Sequence, residues 1–371
     1  MMRVVHIVWS GNFGGIERLV SDLSRSQNCI PDLEVDIMIC KAEGGFLEKL
    51  KSSASTCHTF HLRSAYDISI WKYLKMLRIL KTYDIIHFHG FNPIIYFLGI
   101  LANSKIIYTE HGNFGFGRKK KLSDSINKFL KKYFLNRFSN FITFNSKFTK
   151  DFAEKIYHFN SKTYRAVIYN GIFFGYDKDS PSIIPEEFQK KISGKFVVGT
   201  CSRFAGFKRI DRLISAFYHF QKCHDSLLLI VGDGVLRPEL EKLVETLHLK
   251  ERTLFTGFQS NIIDYQKGMD VCVFPSQGEP FGLVAVETLA LGKPTLVYKD
   301  GGGITEVVEG VEPLDIVEDD KQLVARLTFY ADHKENLEKD MSKRTNHARM
   351  FDITTMARNI HDIYKQVLCA E

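Results

Sequence analysis

Two carboxylates eight positions apart, Glu279 and Glu287, and two cations five apart, Arg203 and Lys208, are the side chains here best suited to a ligand rich in hydroxyls and phosphate. Arg203 and Lys208 follow the strand-like run Val197 to Cys201, where a fork donor and a point charge can neutralise a diphosphate. Glu279 lies in the loop Phe274-Pro275-Ser276-Gln277-Gly278-Glu279-Pro280-Phe281-Gly282. Glu287 falls within the apolar helix Leu283 to Leu291, on the turn of Leu283, where an acid facing a cleft accepts bonds from hydroxyls. Val231-Gly232-Asp233-Gly234 and Gly301-Gly302-Gly303-Ile304-Thr305-Glu306 add turns whose backbone N–H groups can approach an anion. Ser10-Gly11-Asn12-Phe13-Gly14-Gly15-Ile16-Glu17 opens a helix in the same way, a plain tight turn being the other reading. It is not GxGxxG, and no acid follows at the spacing of a ribose-binding carboxylate. No His, Cys and Asp cluster has metal-ligand spacing, so no metal and no cofactor is expected. His87 and His89 are read as alternating along a strand, one toward the ligand and the other toward the core.

These residues need a scaffold. Short Val- and Ile-rich runs alternate with longer segments of helical period, the pattern of a parallel sheet flanked by helices. First-half strands are expected at Val4 to Trp9, Glu34 to Ile39, Ile85 to His89, Ile106 to Thr109, Phe141 to Phe144 and Arg165 to Ile168, with helices at Ile16 to Ser26, Ile68 to Lys81, Leu122 to Phe138 and Lys147 to Tyr157. The pattern lapses from Asn170 to Lys195. It resumes with strands at Val197 to Cys201, Leu227 to Val231, Thr253 to Phe255, Val271 to Phe274 and Thr295 to Tyr298, and ends in a purely helical tail. The expected fold is α/β, with two doubly wound parallel-sheet domains facing a central cleft. The first spans residues 1–170, a connector 171–195, the second 196–350, and a helix at 351–371 returns to the first. Such sheets bind ligands at the carboxyl ends of their strands.

At 371 residues, 44% apolar and 25% charged, the chain has the composition of a folded two-domain protein. The seven cysteines form no CxxC pair, which suits a reducing compartment. The first residues are too short and polar a run for a signal sequence, and the longest apolar stretch, Pro93 to Ala102, is too short to span a bilayer. The expected location is therefore cytoplasmic. The net charge of +7 is concentrated: Gly117 to Asn140 holds eight basic residues against Asp124 alone. Leu122, Ile126, Phe129, Leu130 and Tyr133 recur at helical spacing there, with lysines to the other side. This helix either packs its apolar face on the sheet with lysines in water, or presents Lys119, Lys120, Lys121, Lys128, Lys131 and Lys132 to an anionic membrane surface or acceptor.

Taken together, the motifs resemble the family 4 retaining glycosyltransferases of GT-B architecture, as found in bacterial polysaccharide and lipid-linked glycan assembly. Glu279 and Glu287 match that family's E-x7-E pair. Leu236-Arg237-Pro238-Glu239-Leu240, Leu254-Phe255-Thr256-Gly257, His87-Phe88-His89, Thr109-Glu110-His111-Gly112 and Asn170-Gly171 extend the likeness over essentially the whole chain. The resemblance implies a nucleotide-sugar donor on the second domain and a glycan or lipid-linked acceptor on the first. Transfer would proceed with retention, without a protein nucleophile or a metal, on the inner face of the cell membrane. It implies that Arg203 and Lys208 bind the diphosphate, and that Glu279, with the backbone of Phe281, Gly282 and Leu283, binds the sugar. Glu287 would take the ribose, and Gly14, Gly15 and Gly232 would complete the donor site. It implies, too, that His111 would lie near the anomeric carbon, so that the catalytic set would be His111, Glu279, Arg203 and Lys208. Two positions depart from the family: Arg209 and Thr288 stand where Gly and Ala are usual. A sugar-nucleotide 2-epimerase, a transferase to a soluble acceptor and a non-catalytic binding module are the alternatives. No nucleic-acid partner is expected.

Overall fold

The Val- and Ile-rich runs form two parallel sheets, buried on both faces as such sequences require. A computed structural model describes residues 1–12, 14–64, 67, 69–112, 122–175 and 184–370. The chain divides into two compact units, residues 1–173 with 351–371, and residues 174–350.

The first unit is built on β1 (Met2–Ser10), β2 (Leu33–Lys41), β3 (Cys57–Thr59), β4 (Ile85–Phe88), β5 (Lys105–Glu110), β6 (Phe141–Phe144) and β7 (Tyr164–Val167), in the order β3-β2-β1-β4-β5-β6-β7. Its helices are α1 (Gly15–Gln27), α2 (Leu47–Lys51), α3 (Ile70–Leu80), α4 (Pro93–Ala102), α5 (Leu122–Phe138) and α6 (Lys147–Tyr157). The sequence reading lacks β3, α2 and α4. The ten apolar residues of α4 have no polar face to betray a helix, but Asn92 caps it, accepting from the N–H groups of Ile94 and Ile95, and Asn103 ends it in the left-handed region. On one face of the sheet α3, α4 and α5 share a core that includes Met76, Leu80, Tyr96 and Leu135. On the other, Leu19 and Leu23 of α1 meet the last helix of the chain, Ile353–Cys369. That helix buries one stripe, Ile353, Met356, Ile360, Ile363, Tyr364 and Val367, and Asp352 caps it. A pair of backbone bonds, Ile172 N–H to Phe351 and Ile353 N–H to Ile172, ties it in.

The second unit begins with α7 (Glu186–Ile192), one short helix inside the segment read as an irregular connector. Its sheet comprises β8 (Phe196–Cys201), β9 (Ser226–Val231), β10 (Thr253–Phe255), β11 (Val271–Phe274), β12 (Thr295–Tyr298) and β13 (Ile316–Val317), ordered β10-β9-β8-β11-β12-β13. The helices that matter below are α8 (Ile210–Phe220), α9 (Arg237–Thr246) and α10 (Ile262–Lys267), then α11 (Leu283–Ala290) and α12 (Gly303–Glu309). Both sheets reverse winding beside their first strand, between β1 and β4 and between β8 and β11, the place where doubly wound sheets bind ligands. Among the described residues, no helix is long and apolar enough to cross a membrane.

Candidate functional site

In the second unit, Lys208 comes from the turn after β8 and Glu279 from the loop after β11, so the reversal of winding places them side by side. Lys208 Nζ lies 2.5 Å from Glu279 Oε2, and both side chains are largely buried. An ammonium has three N–H donors. One is committed to Glu279, leaving two for an arriving anion. The Glu279 loop is fastened along its length: Gln277 N–H donates to Phe207, Glu279 N–H to Gly301, and Gly303 N–H to Glu279. Arg203 is exposed at the same strand end, its neighbours Ser202 and Phe204 held by backbone bonds to Val231 and Asp233.

Glycine is required at two of these turns. A Cβ on Gly232 (φ +132°) would stand 1.9 Å from the Ser202 carbonyl oxygen, and one on Gly282 (φ +92°) would stand 2.5 Å from Ile304. The Gly232 N–H is given to Gly257, so that residue acts by letting the ends of β8 and β9 close together. Gly282 opens α11, so the amides of Leu283 and Val284 lie in its first turn, while the Ala285 N–H returns to the Gly282 carbonyl. Phe281 is buried, and Glu287, one turn into α11, is 1% exposed. Arg209, at the position where the resemblance expects glycine, takes the left-handed conformation (φ 47°, ψ 41°) and ties its guanidinium to Asp211. The backbone shape of a glycine is thus kept with a residue for which it costs about 1 kcal/mol. Thr288 is buried, bonded to the Ala285 carbonyl and to Thr295.

In the first unit, Gly14 and Gly15 open α1, and a Cβ on Gly15 would meet no described atom within 4 Å. Packing does not require this glycine, which leaves room for a ligand. His111 follows β5. Its turn is set by Glu110, which accepts from the Gly112 N–H (3.1 Å) and from Lys131 Nζ (2.6 Å). His6, His87, His89 and His111 form one buried group. His87 and His89 share a face, contrary to the sequence reading, because residues two apart on a strand point the same way; their rings stack at 4.4 Å. His6 joins them as the register partner of His87. Local spacing could not reveal this group, since its members come from three strands.

Helix α5 is turned about its axis from the expected orientation. Lys131, expected outward, points into the unit, its Nζ on Glu110 and 5.0 Å from the ring centres of both Tyr108 and Tyr157. Burial alone would lower its pKa, but Glu110 and the two tyrosines outweigh this and hold it well above the ordinary lysine value. Leu135 is buried, with Phe134 and Phe138 packed on the core, whereas Ile126, Phe129 and Tyr133 are exposed. Lys128 is exposed and Lys132 half-buried; Lys119, Lys120 and Lys121 lie outside the described residues.

Comparison with known proteins agrees with this arrangement. Residues 13–173 match the family model described as Glycosyltransferase Family 4, and residues 183–347 the one described as Glycosyl transferases group 1. The lipopolysaccharide core biosynthesis glycosyltransferase LpsD of Rhizobium meliloti is 32% identical over 154 residues, 42% of this chain and 43% of that protein. The UDP-Gal:alpha-D-GlcNAc-diphosphoundecaprenol alpha-1,3-galactosyltransferase of Escherichia coli is 25% identical over 323 residues, 81% of this chain and 80% of that one. The matches to several curated relatives span less than half of those proteins. The structure of Anabaena HepE with UDP and glucose superposes with a TM-score of 0.82 at 22% identity, covering 99% of this chain and 100% of that one. With both halves matched in order and the fold shared end to end, the chain belongs to the family 4 glycosyltransferases.

Proposed function

We propose that this protein moves a hexose-type sugar from a nucleoside-diphosphate sugar to a hydroxyl of a glycan or lipid-linked acceptor, with retention and without a metal, in cell-surface polysaccharide assembly. The observation that carries the reading is the Lys208–Glu279 pair at the winding reversal of the second sheet. There a cation for the diphosphate and a carboxylate for sugar hydroxyls are held together beside the start of α11. The bond from the anomeric carbon to the diphosphate breaks, and a bond to the acceptor oxygen forms on the same face. The acceptor's proton goes to the departing phosphate oxygen, whose charge Arg203, Lys208 and loop amides stabilise. Glu287 takes the ribose hydroxyls. The curated relatives named above act in lipopolysaccharide core biosynthesis and on a diphosphoundecaprenol-linked sugar, which supports this substrate class.

Nucleoside diphosphate release from a panel of sugar donors, with candidate acceptors and excess EDTA, tests the reading. Wild type should remain active. Arg203→Ala, which removes an exposed side chain, and Lys208→Ala should each lower turnover about a hundredfold, the usual cost of losing one charge-stabilising donor. Normal rates in both variants, or donor consumption without stoichiometric release of nucleoside diphosphate, as an epimerase would give, would overturn it. Metal-reversible inactivation by EDTA would overturn the metal-free scheme.

The same proposal seats the first unit on an anionic membrane, with chemistry that differs from a purely basic helix. The neighbouring helices α3, α4 and α5 expose Ile70, Trp71 (83% exposed), Leu74, Phe97, Leu101, Ile126, Phe129 (68%) and Tyr133. Apart from the inward-pointing Lys131, the three helices carry six basic residues and one acid. Apolar side chains ringed by cations suit a lipid interface. Trp71→Ser with Phe129→Ser should reduce partition onto anionic vesicles about a hundredfold, at about 1.5 kcal/mol or more for each ring. Lys128→Gln with Lys132→Gln should reduce it less, about thirtyfold, at about 1 kcal/mol for each charge removed. Vesicle sedimentation measures both; unchanged partition of the serine variant would exclude this face and favour a soluble acceptor.

A further inference from the structure

The winding reversal of the first sheet is filled by a continuous chain of hydrogen bonds. Gln27 Oε1 lies 2.7 Å from His6 Nε2, His6 Nδ1 lies 2.7 Å from His89 Nε2, and His89 Nδ1 lies 3.0 Å from His111 Nε2. From the other end of the same amide, Gln27 Nε2 donates to the Tyr364 hydroxyl at 3.3 Å. Tyr364 meets His87 Nδ1 at 2.7 Å, His87 Nε2 meets Thr109 at 2.6 Å, and Thr109 meets Thr143 at 2.7 Å. All of these residues are buried. The strands and the turns just after them supply the imidazoles, α1 the amide, and the last helix of the chain, Ile353–Cys369, the phenol that accepts from it.

Proton counting then fixes every donor along the arm from Gln27 to His111. A neutral imidazole has one N–H and one lone pair, and two imidazoles meeting nitrogen to nitrogen share a single proton. Burial favours the neutral form: it pushes His6 down to about 4 and His111, helped by Lys131, to about 3, and lowers His87 and His89 strongly. Because Gln27 Oε1 can only accept, His6 donates through Nε2 and accepts at Nδ1. His89 must then donate through Nε2, and His111 through Nε2 to His89. This leaves Nδ1 of His111 as the bare end. Any mixed arrangement would set two N–H groups or two lone pairs face to face, so the chain has a single direction set by the amide.

We infer that Gln27, His6 and His89 are positioning residues that fix His111 as its Nε2–H tautomer, so that its Nδ1 accepts a hydrogen bond from a sugar hydroxyl. The last clause rests on the sugar-transfer reading; the tautomer does not. A metal is the competing occupant, since nitrogens of His6, His87 and His89 lie within 4.8 Å of one another. All six ring nitrogens of those three already have protein partners, and an ion would have to break at least two of these bonds.

Nitrogen NMR of protein labelled at histidine reads the tautomers directly and needs no sugar. Wild-type His111 should show protonated Nε2 and bare Nδ1. Gln27→Glu should keep that pattern, because a carboxylate still accepts from His6. Gln27→Met should mix the tautomers of His111 and lower kcat about tenfold at unchanged donor KM, the cost of about one hydrogen bond. The proposal is overturned by a wild-type His111 protonated at Nδ1, by fixed tautomers in Gln27→Met, or by one equivalent of a transition metal bound to the purified protein. The wild-type spectrum decides even if Gln27→Met does not fold. Tautomers as expected in a protein that turns over no nucleotide sugar would uphold the chain and sink the transfer reading instead.

Discussion

Lowering the pH from 7 to 4 should cost the first unit about 3 kcal/mol of stability through His6 alone, and more once its three neighbours are included. In the unfolded chain each histidine takes up a proton near pH 6.5. In the fold, burial delays this to about pH 4 for His6 and about 3 for His111, and to well below 6.5 for His87 and His89. Over that window the unfolded chain binds more protons. The stability is therefore fully present above about pH 6.5 and drains away as pH falls. The groups facing the cluster are Gln27 of α1, Tyr364 of the last helix, Thr109 and Thr143 of the sheet, and the Lys131–Glu110 pair. None supplies an anion in contact with His6. The second unit holds a group of opposite sign, Glu312, raised to about 7 by burial and by Asp315, whose contribution is lost as pH rises through 7. Both tryptophans, Trp9 and Trp71, belong to the first unit. Urea melts followed by tryptophan fluorescence therefore isolate the effect. A midpoint that did not move between pH 7 and 4.5 would mean that the cluster is charged or open to water.

The sequence exposed the second unit far better than the first. There the chemistry-bearing residues follow strands, in turns of glycine and small residues, and a doubly wound sheet necessarily gathers such turns on one edge. Lys208 and Glu279, 71 positions apart, thus fall on one sheet edge by sequence alone, and they meet there. What periodicity does not carry is register between distant strands. The pairing of His6 with His87 is set by how β1 lies against β4, so four histidines that read as scattered become one hydrogen-bonded chain. Helix α5 failed for a related reason. It carries two apolar stripes, Ile126-Phe129-Tyr133 and Phe134-Leu135-Phe138, and a helical wheel cannot choose between them. The choice is made by Glu110 on β5, which draws Lys131 inward and the second stripe with it. The edge strands β3 and β13, of three and two residues, fall below the length at which alternation can be recognised.

Replacing Lys131 by Met should lower stability by about 3 kcal/mol, a cost expected when one partner of a buried ion pair is removed and the other is left behind. For a unit of this size that is a fall of about 6 to 12 °C in Tm. Lys132→Met, one position along the same helix and with no ion pair among the described residues, should change Tm by no more than about 2 °C. The contrast follows from geometry: Lys131 Nζ holds Glu110 at 2.6 Å between two tyrosine rings, and Glu110 in turn holds the Gly112 N–H. Because that turn carries His111, Lys131→Met should also lower sugar transfer, and should do so at temperatures where the variant is still folded. Glu110→Gln in the same chain supplies the internal control. The amide leaves no uncompensated charge and can still accept from Gly112, so Lys131→Met with Glu110→Gln should recover most of the lost stability. Calorimetry of the two single variants and the double variant gives the coupling directly. Equal losses for Lys131→Met and Lys132→Met would return Lys131 to the solvent face and, with it, to the basic surface read from the sequence.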